Sequence, residues 1–117
     1  MYLLDSYMID INESYSTAIN LHLKLVEREL QECRNNIVAQ IKKDLVDKAN
    51  INPKVIIRLA PNSSPVYSQA VDEVYEELLQ QGYPVTRDEV EINHQRVKAS
   101  RFIFELTQLS PQLEFNF

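Results

Sequence analysis

The first fifty-two residues contain no glycine and no proline: Gly82 is the only glycine of the chain and Pro53 its first proline. No strong breaker forces that stretch out of helix. Asp10 followed by Glu13 has the form of an N-cap with its capping-box partner, and Asn50 and Asn52-Pro53 supply a stop, so a helical segment is expected over 10–50. Within it, apolar side chains stand at Ile19, Leu23, Val26, Leu30, Cys33 and Ile37, at steps of 4, 3, 4, 3 and 4. This is the a/d rhythm of a left-handed coiled-coil seam. Ile41, Leu45 and Ala49 continue at steps of four, so the stripe then drifts around the helix. Leu21 and Leu25 are read as flanking the seam and widening it.

A straight helix of that length spans roughly 57 Å at 1.5 Å per residue. A compact chain of 117 residues is only about 35 Å across. Its own domain therefore cannot cover the helix from end to end. Either the chain folds back near Asn35-Asn36, the weakest helix formers of the run, as a helical hairpin, or the helix stays continuous and meets another subunit. The second arrangement is preferred. It makes the six seam residues the expected oligomerisation surface and a homodimer or higher homo-oligomer the expected assembly.

Beyond the stop, Val55-Ile56-Ile57-Arg58-Leu59-Ala60 is short and rich in β-branched residues, the pattern of a strand covered on both faces. Pro61 to Pro65 forms a turn in which Ser64 is suited to N-cap a helix with Pro65 at its first position. That helix runs to Gln81, buries Tyr67, Val71, Val74 and Leu78, and ends at Gly82 in the left-handed conformation. Two strands follow, one after Pro84 through Ile92 and one from Val97 to Leu106, joined around Asn93-His94-Gln95. A single helix over 88–106 is the rival reading. The expected fold is thus α+β: a long N-terminal helix, or a helical hairpin, followed over 53–107 by a βαββ unit with a three-stranded sheet whose first connection is a right-handed crossover. A tail of residues 108–117 completes one domain over 1–117.

Twelve basic against seventeen acidic side chains give a net charge of −5, which argues against a nonspecific nucleic-acid coat. Residues 65–91 hold seven acids and only Arg87, and the basic trio Arg96, Lys98 and Arg101 follows at once. These three are a small candidate nucleic-acid contact. Arg58, Ser63 and Ser64, beside a helix N-terminus, are a candidate anion contact, although capping alone accounts for the serines. Cys33 is the only cysteine, so no intrachain disulfide forms and a reducing, cytoplasmic setting is expected. No run approaches the length of a membrane span.

A chain with one glycine cannot build a phosphate-cradling loop or a dinucleotide fingerprint. His22 and His94 lie far apart, with no ligand-spaced partner, so no metal and no cofactor is expected. Cys33 fits the seam as a small apolar residue rather than a nucleophile. Asp72, Glu73, Glu76 and Glu77 read as a solvated helix face, with a basic protein partner as the alternative. No catalytic residue can be named.

The chain ends Gln112-Leu113-Glu114-Phe115-Asn116-Phe117. A glutamine followed by large apolar residues at the second, fourth and sixth places resembles the peptide with which many bacterial DNA-processing proteins dock on the sliding clamp. The resemblance covers six residues, and Phe115 departs from the commoner leucine. It implies that Leu113, Phe115 and Phe117 fill pockets on the clamp. Two functions are therefore expected: a non-enzymatic interaction protein that self-associates and binds a protein partner, or an accessory factor of DNA replication, repair or a mobile element. A small enzyme with an anion site ranks below both.

Overall fold

The computed structural model describes residues 8–62, 64–92 and 97–106. The chain forms one helix of 36 residues, α1 (Asn12–Asp47), unbroken through Asn35 and Asn36. The continuous helix, and not the hairpin, is the arrangement formed. It starts later than the capping pattern suggested. Ile11 occupies the N-cap without a side-chain bond, while Asp10 Oδ1 accepts from the Asn12 amide at 3.2 Å. Asp10 thus satisfies an early amide from one position outside the cap. At the far end Asn50 and Asn52 each accept an amide two residues on, at 2.6 and 3.0 Å, and these successive Asx turns redirect the chain.

The remaining elements are β1 (Lys54–Pro61), α2 (Pro65–Gln80), β2 (Val85–Glu91) and β3 (Lys98–Glu105). Residues 88–106 therefore hold two strands, not a helix. The sheet order is β1-β3-β2, with β3 antiparallel to both neighbours, so β1 and β2 run parallel with α2 between them in sequence. Ser64 Oγ accepts from the Tyr67 amide at 3.1 Å and starts α2 as an N-cap should. Gly82, at φ 84°, ends it, and the Tyr83 amide reaches back to Leu78 O at 3.1 Å.

Alternation along the strands puts Val55, Ile57 and Leu59 with Phe102, Phe104 and Val85 on one buried face. Ala70, Val71 and Val74 of α2 and Ile37 and Ile41 of α1 close that face into a single core. Among the described residues no layer covers the opposite face. Ile56 is 36% exposed and Arg58 and Ala60 are open, so β1 is covered on one face only. Ile56 and Ala60, among its even positions, had suggested two.

Strand length decides how much of α1 this body can cover. Gln40 Nε2 donates to Arg58 O at 2.7 Å and Lys48 Nζ to Ile56 O at 3.2 Å, so β1 runs back along α1. Eight residues of strand climb about 26 Å, the rise of about 17 helical residues. Measured back from Asp47, that reaches the level of Leu30. There the chain turns into α2, whose sixteen residues run about 24 Å down again beside α1. Arg34 meets Glu73 near the top of this contact, and Leu45 lies beside Leu78 and Tyr83 near its base. The body ends where Leu30 begins to be exposed.

Candidate functional site

Eighteen residues of α1, from Asn12 to Glu29, make about 27 Å of helix ahead of Leu30; all are exposed except the half-buried Val26, and Lys24, Glu27 and Arg28 border a depression shared with Arg34 and Glu73 of α2. Ile19 and Ile37 stand on the same side of the helix, five turns apart. Ile37 is 1% exposed and Ile19 is 42% exposed. The predicted seam is therefore one stripe with two environments. Ile37 belongs to the interior and is closed to a second chain. Leu30 and Cys33 pack partly on the core, Val26 is half-buried, and Leu23 is 55% exposed. The open part of the stripe comprises Ile19, Leu23, Val26 and the edge of Leu30.

Leu21 and Leu25 do not flank that stripe. Each is two residues from Leu23, which places it about 160° around the helix. With Ala18 they make a second apolar strip, and both leucines are exposed. Ile11 and Tyr15 are exposed as well, between the two strips. Apolar side chains thus occupy more than half the circumference of the free end, which is characteristic of a helix that other helices cover. Its charges are Glu13, Lys24, Glu27, Arg28 and Glu29, so this segment is close to neutral although the whole chain carries −5.

Where α1 enters the body it is fastened by side chains. Arg34 donates Nη1 to Glu73 Oε1 at 2.8 Å and Nη2 to Glu77 Oε2 at 2.6 Å. Gln69 also donates to Glu73, and these bonds together with the Arg34 charge hold the Glu73 carboxyl below its usual range. The acidic face of α2 is thus not simply solvated: Glu73 and Glu77 take Arg34, and Asp72 takes Arg87 at 2.6 Å. Arg34 had no place in the sequence reading. The signal available was a base at the flank of the seam matched to an i, i+4 acidic pair on the next helix.

The same helix closes an edge of the sheet. The outward carbonyls of β1 receive Gln40 and Lys48, and the Ala60 amide donates to the Tyr67 hydroxyl at 3.1 Å. Strand pairing along β1 is thereby blocked. Between the lower ends of α1 and α2 lies a groove of 290 Å³ whose apolar wall includes Val38, Leu45, Leu78, Tyr83 and Phe104.

Among the described residues the other expected contacts do not converge. Arg101 is held by both carboxylate oxygens of Asp88, with Nε 2.7 Å from Oδ1, which lowers the Asp88 pKa and spends the arginine's charge within the sheet. Lys98 is exposed, and Arg96 lies outside the described residues. Arg58 stands on the open face of the sheet, whereas Ser64 caps α2 on the covered face. Ser63 lies outside the described residues, as do Gln112, Leu113, Phe115 and Phe117. Partial burial, with Glu29 and Glu32 nearby, pushes the Cys33 thiol up, away from the thiolate.

Among the described residues no cluster of three or more His, Cys, Asp or Glu is placed to hold a metal ion, and no helix is long and apolar enough to cross a membrane. No family model, curated protein or solved structure matches the chain.

Proposed function

We propose that this chain is a non-enzymatic interaction protein that self-associates through the free end of α1 and offers its body or its C-terminal tail to a protein partner in the cytoplasm. One observation carries the reading: a stripe that is core at Ile37 continues in line and apolar through the partly buried Leu30 and Val26 to the exposed Leu23 and Ile19.

Helix isolated in water is marginal, and helices in proteins draw most of their stability from packing an apolar face. A second copy supplies that packing with the same residues. Burial of a whole leucine or isoleucine side chain is worth about 1.5–3 kcal/mol, or some 60–120 Å² at 25 cal/mol per Å². Side chains already half covered therefore add about half of that. The four seam residues with Ile11 and Tyr15 then offer roughly 300 Å² per chain, well under the about 800 Å² per partner of a standard interface, so the association is weak. Such an association depends on concentration. Sedimentation of the full chain and of Leu23→Glu across a concentration series tests it. The parent sediments as an oligomer that the variant does not form; equal masses for the two overturn the reading.

A second reading rests on the tail. Gln112, Leu113, Phe115 and Phe117 make the chain an accessory factor that docks on a bacterial sliding clamp. A peptide of residues 108–117 titrated against such a clamp tests it, and no binding at high micromolar concentration removes it.

A further inference from the structure

We infer that the self-associated form is an antiparallel pair in which the open seam of one α1 lies against that of a second copy, with the two bodies at opposite ends. The inference rests on the reading of the free end as a self-association surface, and it adds the orientation.

The body occupies the same side of α1 as the open seam. Ile37 and Ile41 face α2 and the sheet, and Ile19, Leu23 and Val26 continue that line beyond them. Packed helices lie about 8–10 Å apart. In a parallel pair joined along this stripe, each partner helix, followed downward from Leu30, enters the space that α2 and β1 already fill. Reversing one chain removes the collision. The two eighteen-residue free ends then overlap fully, and the start of each α1 reaches the level of the partner's Leu30, where the partner's α2 begins. Pairing of this kind is isologous, so one patch serves both chains and the assembly closes.

Charge does not oppose it. Glu13, Lys24, Glu27, Arg28 and Glu29 mix signs along the segment, so no block of like charge faces its copy. The strip of Ala18, Leu21 and Leu25 is a weaker candidate, with two large side chains against four. It points away from the body, and contact through it would permit a parallel pair.

The orientation is read by spin labels on the full-length protein at Ala39→Cys, an exposed position on the body half of α1, in a Cys33→Ala background, with Cys33→Ser as a second background should the first fail to fold. With the two-fold axis near residue 21, where full overlap places it, the antiparallel pair separates the labels by about 50–55 Å along the helix. A parallel pair holds them within roughly 20 Å. A distance near 50 Å in a sample of dimer mass supports the inference. A short distance at dimer mass overturns the orientation and moves the contact to Leu21 and Leu25. A monomer mass at the labelling concentration overturns the underlying reading instead.

Discussion

Ile19 and Ile37 allow an internal comparison, because residue type, helix and rotational position are the same and only the cover differs. Truncating Ile37 to alanine removes methyl and methylene groups packed among Val71, Val74 and the sheet and leaves a cavity. Such changes cost 2–5 kcal/mol, and with Ile37 fully enclosed a value of about 3 kcal/mol is expected. For a domain of this size each kcal/mol moves Tm by about 4 °C, so Ile37→Ala should melt about 12 °C lower at every protein concentration.

Ile19→Ala should behave differently. In the monomer the side chain is half exposed, and alanine is the better helix former, so stability at low concentration should change by less than about 0.5 kcal/mol. In the pair, about 1 kcal/mol of burial is lost on each chain. The resulting 2 kcal/mol weakens association about 30-fold. Thermal melts at two concentrations, with sedimentation of both variants, separate these outcomes. The reasoning is refuted if Ile19→Ala lowers Tm as much as Ile37→Ala in dilute solution, or if it leaves both mass and Tm unchanged at high concentration.

Three further outcomes follow from the same geometry. Arg34→Met should cost about 1–2 kcal/mol, the range for charge-assisted bonds discounted for a side chain 30% exposed, and the loss should shrink in high salt; a double-mutant cycle with Glu73→Gln reads the coupling. Glu73 and Asp88 titrate below their usual range in the folded state, so each stabilises the fold above its unfolded pKa near 4 and loses that contribution as pH falls through the lower folded value. Denaturant midpoints should therefore drop below about pH 4, and less steeply in Glu73→Gln. Gly82→Ala should cost about 1 kcal/mol from its positive φ alone, since nothing stands within 4 Å of the added methyl.

Much of this fold is written in local pattern. The lack of breakers before Asn52-Pro53 marks α1 and its end, β-branched residues mark β1, and Ser64-Pro65 and Gly82 punctuate α2 at both ends. The division of the seam is not local. It depends on β1 being eight residues long and running back along α1, which fixes the level at which α2 begins. Periodicity gives Ile19 and Ile37 the same role, and only the length of the neighbouring strand separates them. The acidic face of α2 was equally illegible alone, because its partner Arg34 is thirty-nine residues away from Glu73. Leu21 and Leu25 were misplaced for a simpler reason: two residues along a helix is nearly half a turn.

The mass of the 117-residue chain in solution, measured by light scattering or sedimentation across a wide concentration range, tests the central claim most directly. The account predicts a multiple of 13.7 kDa at high concentration that falls toward 13.7 kDa on dilution. A mass of 13.7 kDa throughout would contradict it.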